Sequence, residues 1–256
     1  MLHKTETLKG YKLQSLDGEI GTVKDFYFDD QHWTIRYLVV NTVNWLPGRQ
    51  VLISPYAVGA VNKEERTIGV HLTNKQIEGS PSLDTDKPVS RQYERSFYGH
   101  YGWPVYWGGA FAWGSYKTIT RDGESWGEPV PAGEESDPHL RSACVVSGFF
   151  IQAKDGEIGH VEDFIIDDLT WAIRYLAIET RNWWPGKHVL VSPKWIKRVS
   201  WTDSKVVVDL SRAEIKKSPA YTAESLPTRD YENGLHKHYN RQGYWVDQSE
   251  VKEHSH

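Results

Sequence analysis

The sequence predicts a mainly β protein built from two small β-barrels in tandem, each followed by short helical segments. The first observation is a repeat: DGEIG begins at Asp17 and again at Asp155, and the chain aligns with itself at that offset without a gap from about Gly10 to Trp107. The second is that each copy contains short apolar strands separated by turn residues. A repeat of about a hundred residues has the size of a small domain. Because one small sheet buries itself best by curling up, two barrels are expected.

Each copy opens with a predicted hairpin. The Asp-Gly pairs at Asp17 and Asp155 are typical of tight turns, where glycine accepts a positive φ. The segments IGTVKDFYFDD and IGHVEDFIIDD then predict a strand with one well-buried face, ending in an acidic turn. WTIRYLVV and WAIRYLAI follow, and their β-branched and aromatic residues indicate strands that are buried on both faces.

An eleven-residue phrase comes next in both copies, as WLPGRQVLISP from Trp45 and WWPGKHVLVSP from Trp183. The Trp-x-Pro-Gly part predicts a turn, and the Val-Leu-Ile or Val-Leu-Val part predicts a strand. The closing Ser-Pro pair suits an N-cap followed by the first position of a short helical turn.

The barrel part of each copy ends with one more strand and a short helix. TIGVHL and KVVVDL alternate as strands do. Thr73-x-x-Gln76 and Ser211-x-x-Glu214 fit the capping box that starts a helix, and the Ser-Pro pair at Ser80 stops the first one.

A helical arm is predicted after each barrel. Its mark is a stripe of large residues spaced by four, which are Tyr93, Phe97 and Tyr101 in the first copy and Tyr231, Leu235 and Tyr239 in the second. Such a stripe is typical of a helix with one buried face. Docking on its own barrel and docking on the other barrel both remain open, and each arm is expected to have the same role in its half.

The predicted organisation has five parts. Residues 1–82 form the first barrel, 83–119 the helical arm and an aromatic segment, 120–140 a linker, 141–220 the second barrel, and 221–256 the second arm and a polar tail. The linker is rich in Gly, Pro and acidic residues. The two barrels are expected to pair within the chain with approximate two-fold symmetry.

Composition excludes several classes of protein. The net charge of −4 argues against a nucleic-acid binder and against strong attraction to anionic lipid. No apolar run approaches the ~18 residues of a membrane span, and no secretory signal is visible at the N-terminus. Cys144 is the single cysteine, which excludes an internal disulfide. We expect a cytoplasmic protein, with peripheral contact to the inner membrane as an open alternative.

Taken together, the motifs resemble the PRC-barrel family. The resemblance is carried by DGEIG-x-V-x-D-F, by W-x-I-R-Y-L, by W-x-P-G-[RK]-x-V-L-[IV]-S-P and by the capped helix, each present twice and in order. It implies a small all-β barrel that acts by binding other proteins. The family includes the cytoplasmic part of the H subunit of purple-bacterial photosynthetic reaction centres and a ribosome-maturation factor. The chain is most similar to the H-subunit branch, and the family implies no catalytic residues or cofactors.

Three groups of residues are candidates for chemistry. The acidic residues are Asp25, Asp29 and Asp30 with Asp163, Asp167 and Asp168, and we interpret them as a strand end and a solvated turn rather than a cation site. A metal site formed by His236, His238, His254 and His256 is an alternative that we do not favour. Cys144 is predicted to be a buried, inert thiol at the start of a strand. No catalytic motif is visible, so we expect no enzymatic activity, no metal and no cofactor.

The candidate interface or structural residues are aromatic or belong to the repeated turn. They are Trp45, Pro47, Gly48, Trp183, Trp184, Pro185, Gly186, Tyr93, Tyr101, Tyr231 and Tyr239. Rings at a turn either close a barrel end or anchor a partner. The aromatic run from Tyr98 to Trp113 either wraps across the barrels, which we favour, or forms a patch for a partner.

These observations predict a non-enzymatic protein-binding or assembly module whose partner is another protein. One alternative is an H-subunit-like accessory protein of a membrane photosynthetic or electron-transfer complex. The other is a ribosome or RNA assembly factor, for which a basic surface is absent from the sequence.

Overall fold

A computed structural model describes residues 1–42, 46, 49–83, 89–103, 105–107, 139–180, 187–222 and 225–246. The chain divides into two compact units. The first contains Met1, Thr5–Cys144 and Asp167–Ile173, and the second contains Leu2–Lys4, Val145–Ile166 and Arg174–His256.

Fourteen strands lie in the described ranges. They are β1 (Leu2–Lys4), β2 (Lys12–Gln14), β3 (Glu19–Asp29), β4 (Thr34–Asn41), β5 (Gln50–Ile53), β6 (Val58–Asn62), β7 (Thr67–Val70), β8 (Leu140–Ser142), β9 (Phe150–Ala153), β10 (Gly156–Asp167), β11 (Ile173–Glu179), β12 (His188–Val191), β13 (Ile196–Ser200) and β14 (Lys205–Val208). The helices are α1 (Thr5–Leu8), α2 (Asn74–Glu78), α3 (Arg91–Tyr101), α4 (Ala143–Val146), α5 (Arg212–Lys217) and α6 (Arg229–His238), with 3₁₀ turns at Pro55–Ala57 and Pro193–Trp195.

The sheet of the first unit has the order β5-β4-β3-β2-β7-β6. Its neighbours are antiparallel except for β2 and β7, which run parallel. A seventh strand, β8, pairs with β3 and places Ser142 opposite Tyr27.

The sheet of the second unit repeats this order as β12-β11-β10-β9-β14-β13, and its seventh strand, β1, pairs with β10. The predicted mainly β fold in two tandem units is therefore confirmed. Closure of either sheet into a barrel stays a prediction.

The central strands are buried as predicted. Every residue of β4 except the last is buried, and so is every residue of β11 except the last. Large rings such as Phe26, Phe28 and Phe164 are fully buried beside them. Burial of one such side chain stabilises a fold by roughly 1.5–3 kcal/mol, so these strands anchor their units.

Local signals in the sequence set the short helices. Ser54 and Ser192 cap the two 3₁₀ turns, each with a proline at the start. The predicted capping boxes of Thr73 and Ser211 are both formed. At the opening hairpins, Gly156 has a φ of 143°, whereas Gly18 has no positive φ.

One glycine in each long strand lies against the backbone of the neighbouring strand. A Cβ added to Gly21, whose φ is 152°, would lie 2.1 Å from the carbonyl oxygen of Asn41. A Cβ added to Gly159, whose φ is 151°, would lie 2.0 Å from the carbonyl oxygen of Glu179. The two strands therefore approach each other at a point where only glycine fits.

No helix within the described ranges is long and apolar enough to cross a membrane.

Candidate functional site

Helix α3, the first arm, packs on the sheet of its own unit. Phe97 and Tyr98 are buried in one cluster with Tyr37 and Leu52, and Tyr93 and Tyr101 are partly buried against it. The hydroxyl of Tyr93 also donates to the carbonyl oxygen of Pro81, at 2.9 Å. The helical stripe is confirmed, and the open choice between the two barrels is resolved in favour of the arm's own unit.

A buried glutamate fixes this arm. Glu94 has no exposed surface. Its Oε1 accepts from the hydroxyl of Tyr37 at 2.7 Å and from that of Tyr106 at 2.9 Å. Its Oε2 lies 3.1 Å from Nη1 of Arg91. Burial first, and then the Glu94 charge, raise the pKa of Tyr37 well above its ordinary value. One carboxylate thus joins the sheet, the helix and the segment after the helix.

Two guanidinium groups stack on the rings that follow the helix. Cζ of Arg36 lies 4.2 Å from the ring centre of Tyr106, and Cζ of Arg91 lies 4.1 Å from that of Trp107. Such cation–π contacts are strongest where water is excluded. They hold residues 105–107 against the sheet, through Arg36 of β4, and against the arm, through Arg91.

The second unit repeats the arrangement around Glu232. Its Oε1 accepts from Tyr175 at 3.0 Å and from Tyr244 at 2.8 Å, and its Oε2 lies 3.0 Å from Nη1 of Arg229. Cζ of Arg174 lies 4.1 Å from the ring centre of Tyr244. The same site thus joins an arm to a sheet in each unit, and we call it the clamp. The first clamp consists of Glu94, Arg91, Tyr37 and Tyr106, and the second of Glu232, Arg229, Tyr175 and Tyr244.

The two clamps differ in the ring that packs beside the glutamate. Where the first unit has Tyr98 and Ala57, the second has His236 and Trp195. The ring centres of His236 and Trp195 lie 5.2 Å apart. Nε2 of His236 lies 3.0 Å from the hydroxyl of Tyr175. The second clamp therefore contains a titratable imidazole.

A partly exposed row of rings, called here the aromatic ladder, lies on the first unit. It consists of Tyr56, Trp103 and Tyr101. The Tyr101 and Trp103 rings stack at 4.4 Å between centres, and Tyr56 lies 5.1 Å from Trp103. Tyr56 is 38% exposed. At the equivalent positions the second unit has Lys194, Arg241 and Tyr239, so only the first unit presents the ladder.

The other candidate residues belong to the second arm or to the segment predicted as a turn, which lies outside the described residues. Tyr231 and Tyr239 belong to the second arm, where Tyr231 donates to the carbonyl oxygen of Pro219 and Tyr239 is buried. The repeated turn residues Trp45, Pro47, Gly48, Trp183, Trp184, Pro185 and Gly186 lie outside the described residues. Of the aromatic run, Tyr98 and Tyr106 are buried in the first unit. Residues 108–113 lie outside the described ranges.

The predicted strand end and solvated turn hold for part of the acidic residues only. Asp25, Asp29 and Asp163 are buried within β3 and β10, which contradicts the prediction, whereas Asp167 ends β10 and Asp30 and Asp168 lie in the turns that follow, all three partly exposed. Asp25 accepts from the Ser142 hydroxyl at 2.5 Å and from the Cys144 backbone N–H at 3.1 Å. Asp30 lies 3.0 Å from both His139 and Arg141. The carboxylate oxygens of Asp25 and Asp30 are thus already bonded to other residues of the protein. The described residues include no group of three or more side chains that could hold a metal ion.

Asp29 forms a buried ion pair with Arg36, at 2.9 Å, and also accepts from His32 at 2.7 Å. Burial by itself raises the pKa of Asp29, but the His32 hydrogen bond and the Arg36 charge outweigh it and hold the pKa well below the ordinary 3.8. A lowered pKa means that the stabilisation is complete above about pH 3.8 and is lost as the pH falls below it.

We therefore expect the urea midpoint of the first unit to fall steeply on acidification below about pH 4. Asp29→Asn is expected to lower the midpoint at neutral pH and to flatten this acid slope, because the titrating pair is gone. The matched control is Asp203→Asn, which changes an exposed carboxylate bonded to Ser200. A slope that is unchanged in Asp29→Asn would contradict the assignment.

The prediction for Cys144 is wrong. It lies in the four-residue helix α4 rather than a strand, and it is exposed, with Sγ 3.4 Å from Nζ of Lys9. Of the histidines, His236 is buried, and His238 is exposed and bonds to the carbonyl oxygen of Glu214 at 2.8 Å. His254 and His256 lie outside the described residues.

Sequence reasoning missed the two glutamates and the arginines at the centre of the clamps. Their signal was present, because Arg-x-Tyr-Glu recurs at Arg91 and Arg229, and Tyr-Trp recurs at Tyr106 and Tyr244. An Arg–Glu pair that recurs in both copies together with the same Tyr and Tyr-Trp residues indicates a structural role.

Two comparisons with known proteins bear on this chain. The family model of the PRC-barrel domain matches residues 4–77, which run from the end of β1 into α2 and leave the arm outside the match. The search of curated proteins found no match.

Proposed function

Residues 4–77 are a PRC-barrel domain, and from this premise we propose that the chain is a non-enzymatic protein-binding or assembly module. PRC-barrel domains often mediate contacts between proteins. The domain therefore supports this function, and we propose the aromatic ladder as the surface that binds a partner.

The ladder carries the proposal because large rings at a surface are typical binding anchors. Tyr and Trp give much contact area at a small cost in conformational entropy. Trp103 stacks on Tyr101, and its backbone N–H donates to the carbonyl oxygen of Tyr98 at 3.0 Å, so the rings are held in place within the first unit itself. Because the second unit has Lys194 and Arg241 at two of these positions, the proposed contact belongs to the first unit alone.

The absence of catalysis is part of the proposal. Catalytic carboxylates face a substrate and are tuned for proton transfer. Here Asp25, Asp29, Glu94 and Glu232 are buried and bonded to side chains of their own units. This arrangement supports a structural use of the acidic residues.

The test is affinity capture of the tagged protein from gently solubilised native cells, with the retained proteins identified by mass spectrometry. In the test variant, Tyr56→Lys and Trp103→Arg copy the residues of the second unit, so a folded chain is expected. We expect one reproducible partner with the wild type and at least about tenfold less of it with the variant.

The matched control changes the equivalent cations, Lys194→Ala and Arg241→Ala, and is expected to retain the partner. Circular dichroism establishes that each variant is folded. Equal capture by the ladder variant would contradict this contact surface, and no specific capture at low or high salt would contradict a binding module.

The same experiment separates the finer alternatives. A membrane electron-transfer complex as partner would support an H-subunit-like accessory role, and ribosomal proteins would support an assembly factor. The variant with Trp45→Ala and Trp183→Ala tests the repeated turn as a second contact.

A further inference from the structure

His236 lies inside the second clamp and is 4% exposed. It is enclosed by the rings of Trp195 and Trp245, whose centres lie 5.2 and 5.0 Å from its own. Tyr239 also contacts Trp195, at 4.7 Å. The imidazole therefore joins helix α6, the 3₁₀ turn at Trp195 and the segment that follows the helix.

The hydrogen bonds determine which form of the ring fits. The hydroxyl of Tyr175 donates to Glu232, so it accepts from Nε2–H of His236. Nδ1 is then the unprotonated nitrogen, and no hydrogen bond of ordinary geometry joins it to a residue that the structure describes, although the backbone of Arg241 and Gln242 lies close enough to the ring to favour its protonated form. This is the neutral ring, held as one link of a chain that runs from His236 through Tyr175 to Glu232.

A second proton would place a positive charge in this enclosed position. Lys194 and Arg229 already contribute positive charge nearby. Glu232 bonds to the same Tyr175 hydroxyl as His236, and its carboxylate is shared among Tyr175, Tyr244 and Arg229.

The surroundings of the ring oppose protonation on balance. Burial is the largest effect and lowers the pKa of His236 from 6.5, whereas the backbone of Gln242 and Arg241 acts in the opposite direction. A lowered pKa means that the stabilisation is complete above about pH 6.5 and is lost as the pH falls below it, because only the opened ring takes up a proton readily.

The first unit provides the comparison. Its equivalent residue, Tyr98, is fully buried, and burial raises the pKa of this hydroxyl far above the range in which histidine titrates. At this position the first clamp therefore has a group that does not titrate on mild acidification, whereas the second has an imidazole.

We propose that His236 is an acid-sensitive latch, so that protonation of its ring releases α6 and Tyr244–Trp245 from the second unit. Release uncovers the rings of Tyr175 and Trp195, which are otherwise buried, as an apolar face. The first arm stays docked. The latch goes beyond the proposed function and does not rest on it, since it concerns a contact within one unit.

Hydrogen exchange of the purified full chain tests the latch. Protection factors, which correct for the intrinsic effect of pH on exchange, are measured for α6 and α3 at about pH 7.5 and about pH 5. We expect those of α6 to fall at least about tenfold and those of α3 to stay within about twofold. An equal change in both helices would overturn the proposal.

His236→Gln is the decisive variant because its amide can still donate to Tyr175 but does not titrate. We expect the acid response of α6 to disappear, and a response that persists would overturn the proposal. The reciprocal variant, Tyr98→His with Ala57→Trp, is expected to transfer the response to α3.

One measurement needs no variant. The ring nitrogen shifts of His236, followed by NMR in the wild-type protein, are expected to show protonation below about pH 6.5 together with the loss of α6 protection. A ring that becomes protonated while α6 stays protected would overturn the latch. None of these readouts involves a partner, so failure of the binding proposal would leave the result intact.

Discussion

Glu94→Ala is expected to lower the free energy of unfolding of the first unit by about 3–5 kcal/mol. The reason is that Arg91 is only 8% exposed, so the substitution leaves a positive charge out of water without its carboxylate. Tyr37 and Tyr106 lose their acceptor at the same time. The cost of an unpaired buried charge exceeds that of a lost neutral hydrogen bond.

Glu232→Ala is the matched variant, and we expect it to cost about 2 kcal/mol in the second unit. It also removes the acceptor of two tyrosines, but Arg229 is 50% exposed and remains in contact with water. The measurement is hydrogen exchange of the slowest amides of β4 and of β11 in each variant. Equal losses in the two units would show that burial of the arginine does not set the cost.

Gly21→Ala is expected to destabilise the first unit by about 4 kcal/mol or more. The added Cβ would lie 2.1 Å from a carbonyl oxygen of β4, and the φ of 152° is unfavourable for alanine. Neither strand can shift freely, because β3 and β4 are paired along most of their length. Gly159→Ala is expected to have a similar effect in the second unit, where the distance is 2.0 Å.

Gly99→Ala is the control, since Gly99 is exposed within helix α3 and an added Cβ would meet nothing within 4 Å. It is expected to stabilise the arm by about 1 kcal/mol, which is the difference in helix propensity. Urea unfolding at neutral pH measures all three variants. If Gly21→Ala unfolds at the wild-type midpoint, the two strands do not approach each other as closely as described.

The elements that sequence reasoning predicted well are those with local signals. Capping boxes, Ser-Pro starts and a four-residue apolar spacing depend on neighbours in the chain, so they could be identified directly. The strands WTIRYLVV and WAIRYLAI were identified by their continuous apolar character, which requires burial on both faces.

The errors have a common physical cause, which is that partners distant in the chain decided the outcome. From the sequence, Asp25 was interpreted as part of a turn. In the structure, the Ser142 hydroxyl and the Cys144 backbone N–H donate hydrogen bonds to it. Glu94 was given no role from the sequence alone, because the residues that bond to it, Tyr37 and Tyr106, are distant in the chain. Cys144 lies in a run too short to distinguish a helix from a strand by periodicity.

The origin of the seventh strands also has no local signal. The strand β8 pairs with β3, although the first repeat ends long before Leu140, and β1 pairs with β10, although it lies at the start of the chain. The sequence of a three-residue strand does not indicate which strand of a sheet it will pair with.

The placement of β8 and β1 has a consequence for biosynthesis. A ribosome makes the chain from its N-terminus, so the sheet of the first unit lacks its β8 strand until residue 142 has emerged. The Leu2–Lys4 strand, in contrast, is made first and has no edge to join until β10 has been translated. A gene split between residues 107 and 139 would therefore leave the first sheet without β8 and the second sheet without β1, so neither fragment would encode a complete sheet.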